Sequence, residues 1–435
     1  MSENITFYGL DLGDYYSQLS YYREGMAEPV SISPFVGSEK YLIPTVVGKK
    51  DGFMQWYIGE EAAGMPIKVE QLLSKAIKRE QINLKGDLFA AMDLLTVYVR
   101  RVLQLSGTVL QRSDKDIYVI CIDHASHLAV ETLLEVCKNI GIPKERVKIC
   151  SRQECFCYYV MNQDGALRIH DVLLLDYWKD TFKVFQLSQD RSVEPMVVSV
   201  KEMQIDKMAD LTTGTLKMTE EEKQKYKEEC LYNALDDILS VGIVSSMYLV
   251  GDGFDGEWME RSLHRMCAGR RVFGGKNLYT KGACYYGKIS TMDKTDSPAY
   301  LYLGGGNILA NICVKAKVQD KYMYQVLVPA GYNWQDAYGE TELILRNSGT
   351  DQGADPDKEC IALEFLIRTL KGMERKETVE LTGLEPEDDM PVRLRITGRA
   401  LSTSKVKVTI EDMGFGVLRP KSQKIWETEL RLTVS

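Results

Sequence analysis

Apolar residues run almost unbroken from Ile5 to Leu10. Asp11-Leu12-Gly13-Asp14 then reads as a turn, and Tyr16–Tyr22 alternates apolar with polar side chains. A period of two marks a half-buried strand, so the chain is predicted to open as a β-meander. Ile43–Gly48 and Met54–Ile58 fit two more short strands around the polar turn Lys49-Lys50-Asp51-Gly52. The period then changes. Leu88, Met92, Leu95, Val99 and Val102 recur at three- and four-residue spacing, which predicts one apolar stripe on a helix. Asp116–Ile122 reads as a buried strand, Ser126–Ile140 as a helix stopped by Gly141 and Pro143, Val147–Cys150 as a strand and Glu154–Met161 as a helix.

The plan repeats. Val172–Asp176, Phe182–Leu187 and Val193–Val200 predict a second meander. Thr219 with Glu222 three residues on is a capping-box signal for a helix reaching about Leu239. Met247–Val250 predicts a strand, Gly251-Asp252-Gly253 a turn and Glu257–Met266 a helix. From Ser297 helical periodicity fades. Short strands recur from Tyr300–Leu303 and Ile308–Val314 to Lys405–Ile410 and Trp426–Leu432, separated by turn-rich insertions, a pattern that predicts a β-sandwich. A boundary near Ser290–Pro298 gives an α/β domain over 1–292 and an all-β domain over 297–435.

Composition narrows the classes. The 435 residues carry 54 basic and 62 acidic side chains, a formal charge of −8. That balance argues against a nucleic-acid binder, which needs a basic face to neutralise phosphates. No apolar run is long enough to predict a membrane helix, and Met1–Phe7 has no secretory-signal pattern. Ten cysteines in that setting predict a reducing cytoplasm and buried free thiols, with Cys155 and Cys157 as a C-x-C pair near Cys150. His124 and His127 lie at i, i+3 with no third ligand apparent, so no metal site is predicted.

Gly251-x-Gly253-x-x-Gly256 has the form of a dinucleotide fingerprint, between a strand and a helix. The fingerprint opens a first βαβ unit and is followed about twenty residues on by an acid that holds the ribose. Here the strand is late, and Phe273-Gly274-Gly275-Lys276-Asn277 supplies no acid. A dinucleotide fold is therefore not expected.

Five blocks in order resemble the actin/hexokinase/heat-shock-chaperone ATPase superfamily, and its DnaK-type chaperones in particular. Tyr8–Asp14 is similar to the first phosphate hairpin, and Ile43–Val47 through Ile58–Ala62 to the segment after it. Leu175–Val184 is similar to the second phosphate hairpin, Tyr248–Gly253 to the adenosine-side turn and Ala283–Gly287 to the closing helix. Beyond the boundary, Glu380–Leu384 and Val406–Asp412 resemble the β-sandwich substrate domain of those chaperones, with no helical lid after it. The resemblance implies an actin-like, ribonuclease-H-like two-lobed α/β domain followed by a sandwich. It also implies a Mg-ATP site built from Asp11, Gly13, Asp176, Thr181, Gly251 and Gly253.

The departures weaken that site. Asp14 and Tyr15 stand where hydroxyl residues follow Gly13, and Trp178, Lys179 and Asp180 fill the three glycine places of the second hairpin. Side chains there occupy phosphate space, and non-glycine residues resist positive φ. The turn that supplies a catalytic glutamate aligns with Cys150-Ser151-Arg152, Glu154 falls three residues out of register, and Asp252 replaces a glycine. Asp11 and Asp176 read equally as turn-formers. The expectation is a chaperone-like protein with an eroded phosphate site, binding a polypeptide or partner protein through the sandwich and with no residue assigned to catalysis. The alternative is a slow Mg-ATPase that gates the sandwich.

Overall fold

The computed structural model describes residues 5–35, 37–50, 55–108, 113–178, 181–205, 218–292, 300–319, 321–345, 362–384, 391–416, 419–422 and 424–433. Lys179 and Asp180 thus lie outside the described residues. The chain is a mixed α/β structure that divides into two units, Met1–Gly304 and Gly305–Ser435, the second strand-rich. Among the described residues no helix is long and apolar enough to cross a membrane.

The first unit contains two sheets with one plan. In the first, β1 (Thr6–Leu12), β2 (Tyr16–Arg23) and β3 (Val30–Ile32) form an antiparallel meander. β4 (Ile117–Ile122) and β5 (Val147–Ser151) add in parallel on the other side of β1, giving the order β5-β4-β1-β2-β3. In the second, β6 (Asp171–Trp178), β7 (Thr181–Asp190) and β8 (Met196–Met203) repeat the meander, and β9 (Val244–Val250) and β10 (Arg271–Gly274) repeat the parallel additions. The order is β10-β9-β6-β7-β8, extended by β11 (Tyr300–Leu303), which pairs in parallel with β8. Tyr300–Leu303, expected to open the sandwich, therefore belongs to the first unit. Its strand pattern is local, whereas its partner lies about a hundred residues earlier.

Helices α1 (Ala91–Gln104), α2 (His127–Asn139), α3 (Arg152–Met161), α4 (Glu220–Ile238), α5 (Glu260–Cys267) and α6 (Leu278–Ser290) connect and cover the sheets. Ser126 caps α2, and the predicted Thr219/Glu222 capping box opens α4. Leu88 does not join the α1 stripe: it sits in the hairpin Gln81–Leu84/Asp87–Ala90 and is 68% exposed. One apolar core joins both sheets, with Val119 and Cys121 from the first, Val172, Leu174 and Phe185 from the second, and α3 and α6 between them. Two glycines set the position of α6. A Cβ on Gly9 of β1 would lie 2.1 Å from the Thr280 carbonyl oxygen, and one on Gly282 would lie 1.9 Å from that of Cys155. Bare backbone at both places lets α6 seat against β1 and α3, and the Ser20 and Thr280 hydroxyls hydrogen-bond at 2.6 Å.

The second unit is a sandwich of two four-stranded antiparallel sheets. One has the order β13-β12-β15-β16, from β12 (Ala310–Val318), β13 (Lys321–Val328), β15 (Ala362–Thr369) and β16 (Glu374–Glu380). The other has the order β14-β17-β18-β19, from β14 (Tyr338–Leu345), β17 (Val392–Ser402), β18 (Lys405–Asp412) and β19 (Ile425–Arg431). Alternate residues such as Leu394, Ile396, Val406, Val408 and Ile410 point inward onto Phe365 and Ile367.

Candidate functional site

Asp11 and Asp176 occupy equivalent places in the two sheets. Each lies near the C-terminal end of its central strand, and each faces the residue seven positions on in the returning strand, Gln18 and Lys183 respectively. The turn-former reading of both aspartates is corrected here. β1 runs through Asp11 to Leu12 and β6 through Asp176 to Trp178, so both are strand residues, each 4% exposed. The first turn is tighter than expected and is closed by the Gly13 N–H donating to the Tyr16 carbonyl at 3.1 Å.

A cavity of about 450 Å³ opens over these strand ends. Asp11, Gly13, Asp176 and Thr181 all line it, together with Asp14, Gln18, Asp123, Arg152, Trp178 and Lys183. Gly251 and Gly253 do not line it. A Cβ on Gly251 would lie 2.0 Å from the Tyr177 carbonyl oxygen, and one on Gly253 would lie 2.3 Å from the Tyr177 ring. Those glycines accommodate Tyr177, whose ring packs edge-on against Phe182, Phe254 and Trp258.

Arg152 decides the electrostatics. The capping box of Ser151 and Glu154 starts α3 and places Arg152 as its first residue, with its side chain in the cavity. The guanidinium donates from Nε to Asp11 Oδ1 at 3.1 Å and from Nη2 to Oδ2 at 3.3 Å. It therefore engages both oxygens of the carboxylate, and its Nη2 would lie 3.3 Å from a Cβ on Gly13. Burial raises the Asp11 carboxyl above its ordinary value, and the guanidinium pulls it back without cancelling the rise. Glu154 is buried and committed to the helix cap.

Asp176 is held differently. Its Oδ2 accepts from the Tyr279 hydroxyl at 2.6 Å, while Oδ1 is buried without a partner. Burial pushes its pKa up to about 6, opposed by Arg152 and Tyr279. The Gln18 amide and the Trp178 indole N–H are likewise buried and unpartnered. Such groups are rare, and each is a place for a bound water or ligand atom. The second cation is also engaged, since Lys183 Nζ donates to Asp123 Oδ2 at 2.8 Å. Burial opposes ionisation of Asp123, but Lys183 outweighs it and lowers the carboxyl. Asp14 accepts from the Ser74 backbone N–H at 2.9 Å. The described lining thus sets four carboxyl groups against two cations, each already in an ion pair.

Sequence reasoning missed Arg152, Lys183, Asp123 and Tyr279. Arg152 stood in the segment aligned with the missing glutamate, and its cationic character in that turn was the available signal. His124 contacts Asp123 and His127 contacts Glu131, so the two histidines share no ligand.

The family described as "Family of unknown function (DUF5716) C-terminal" matches residues 28–305, well over half of the chain. The chain belongs to that family. A second match, to a "Domain of unknown function (DUF8552)", covers residues 307–432. The two matches meet around residue 306, within two residues of the point where the structure divides, between Gly304 and Gly305. Asp11 and Gly13 precede the first match, whereas Arg152, Asp176 and Thr181 fall inside it. No curated protein matches the chain.

Proposed function

We propose that this chain is a divergent, cytoplasmic, non-hydrolysing relative of the actin/hexokinase/heat-shock-chaperone ATPases that binds a polypeptide or partner protein through its sandwich. Two sheets of identical strand order, each with an aspartate at the same point of its central strand, support a two-lobed actin-like reading. One observation carries the loss of hydrolysis: Arg152 holds both oxygens of Asp11 in front of Gly13. In the ATPases that carboxylate handles Mg²⁺ and water. Here a side-chain cation neutralises it, and a divalent ion would have to displace a buried ion pair. A triphosphate would also meet a lining richer in carboxylates than in cations, where like charge repels it.

The polypeptide-binding half of the proposal draws on β13. It is an edge strand of its sheet, and Met323 and Val326 on it are 50% and 51% exposed. An edge strand offers backbone donors and acceptors to an extended segment, and apolar side chains add contact area.

Calorimetry with Mg-ATP and Mg-ADP at millimolar concentration tests the site, with no binding heat expected. A submillimolar affinity that disappears in Asp11→Ala would overturn the reading in favour of a slow ATPase. For the sandwich, fluorescence anisotropy with a labelled, permanently unfolded polypeptide is expected to show saturable binding weakened by Val326→Glu. Absence of binding overturns that half alone.

A further inference from the structure

β4, β5 and α3 bring three cysteine side chains to one point in the core that joins the two sheets. The sulfur atoms of Cys121, Cys150 and Cys155 all lie within 4.8 Å of one another, and those of Cys150 and Cys155 are 3.3 Å apart. All three residues are 0% exposed. Cys121 and Cys150 are register partners on adjacent parallel strands. Cys155 is placed over them because the capping box fixes where α3 begins. Cys157, equally buried two residues on, does not join the group, so the convergence is not a general property of buried thiols in this core. Three sulfur donors on three elements are held in place before any ligand arrives.

The donor set selects the ligand. Soft thiolates favour copper(I) and zinc(II) over hard cations. Structural zinc takes four ligands in a tetrahedron, and among the described residues no fourth cysteine, histidine or carboxylate joins the group. A trigonal set of three thiolates suits copper(I). Two features of the surroundings offset the negative charge of such a site. The positive N-terminal end of α3 lies beside Cys150, which immediately precedes the N-cap Ser151, and the Arg152 guanidinium interacts electrostatically with Cys121.

We propose that Cys121, Cys150 and Cys155 form a three-thiolate site for a single copper(I) ion. Binding forms three Cu–S bonds and releases the three thiol protons to solvent, with no change of oxidation state. Because the sulfurs are closed off from water, the ion enters as the core forms or opens, and it adds to the stability of the first unit.

The test uses the full chain with Cys267→Ser, which removes the thiol that is exposed among the described residues. The protein is refolded anaerobically with copper(I) supplied as its acetonitrile complex, desalted and analysed for metal. One copper per chain is expected, with a thiolate-to-copper charge-transfer band, three sulfur scatterers in X-ray absorption and a raised unfolding midpoint. Cys121→Ala and Cys155→Ala should each lose the copper, and Cys157→Ala should keep it. If an alanine variant does not fold by circular dichroism, the scatterer count on the parent chain decides alone. No retained copper, nitrogen or oxygen scatterers in place of sulfur, retention by a folded Cys121→Ala chain, or preferential retention of zinc would each overturn the proposal.

Discussion

Replacing Arg152 with Met keeps an unbranched apolar stem and removes the guanidinium with its charge. Asp11, with 6% of its side chain exposed, then loses both guanidinium hydrogen bonds. Breaking a buried pair by removing one partner costs about 3–5 kcal/mol, because the remaining charge is stranded. For a unit of this size that corresponds to a fall in unfolding midpoint of roughly 5–8 °C. The cost depends on pH in a defined direction. Without Arg152 the Asp11 carboxyl is raised further by burial, so the folded state prefers it protonated. The deficit of Arg152→Met is therefore largest at neutral pH and shrinks as the pH falls through the raised folded pKa. The double variant Asp11→Asn/Arg152→Met removes the stranded charge and should recover most of the loss at pH 7.5. Urea unfolding of the parent, Arg152→Met, Asp11→Asn and the double variant, followed by circular dichroism at pH 5 and 7.5, measures all four corners of the cycle. A single variant within about 1 kcal/mol of the parent at pH 7.5, or no recovery in the double variant, would refute the claim that this pair governs the cavity.

Asp176→Asn should gain stability relative to the parent as pH rises. The Asp176 pKa is raised from 3.8 to about 6. Its favourable contribution is thus complete below pH 4 and is lost between pH 4 and 6, which amounts to roughly 3 kcal/mol at about 1.36 kcal/mol per pKa unit. Paired pH–stability curves for the two proteins would show it, and parallel curves would contradict it. Tyr279→Phe removes the hydroxyl that donates to Asp176 and should cost about 1–3 kcal/mol near neutral pH, read from urea midpoints. Gly253→Ala drives a methyl into the Tyr177 ring and should cost about 1–3 kcal/mol, read from urea midpoints. In the sandwich, Arg419 pairs with the fully buried Asp412 at 3.1 Å. Arg419→Met should destabilise the chain by about 3 kcal/mol, and a shift under about 1 kcal/mol would show that the Gly414 N–H, which donates to Asp412, suffices by itself.

Local pattern made the two meanders legible through the alternation in Tyr16–Tyr22 and Phe182–Leu187, although the polar positions Ser17, Gln18 and Ser20 are buried along with the apolar ones. Cap chemistry made the start of α4 legible at Thr219. Non-local pairing was not legible. Tyr300–Leu303 has the pattern of a strand, but nothing within it says that β8 rather than the sandwich is its neighbour. Asp11 reads as a turn residue from its neighbours Leu12, Gly13 and Asp14, and only the pairing of Leu12 with Ser17 carries the strand past it. The glycines of Gly251-Asp252-Gly253 have the signature of a phosphate turn, yet the side chain they make room for is Tyr177. Arg152 and Asp11 are 141 positions apart, so no spacing rule joins them. The three cysteines are joined by strand register and a helix start, which are properties of the fold and not of a motif.

The seat of α6 constrains how the chain is made. α6 follows β10 of the second sheet but packs on β1, and Thr280 meets Ser20 across 260 positions. As the polypeptide leaves the ribosome, β1, β2 and β4 emerge long before the helix that covers them. Until about residue 290 has been synthesised, the apolar face of β1 around Gly9 has no native cover. The first sheet is therefore a late-maturing part of the protein although it is made before the helix that covers it, and its exposed face during synthesis is a surface for holding factors and a starting point for aggregation. Closing so long a loop also slows folding, so a pause in translation before Leu278 should raise the yield of misfolded chain more than a pause after Ser290.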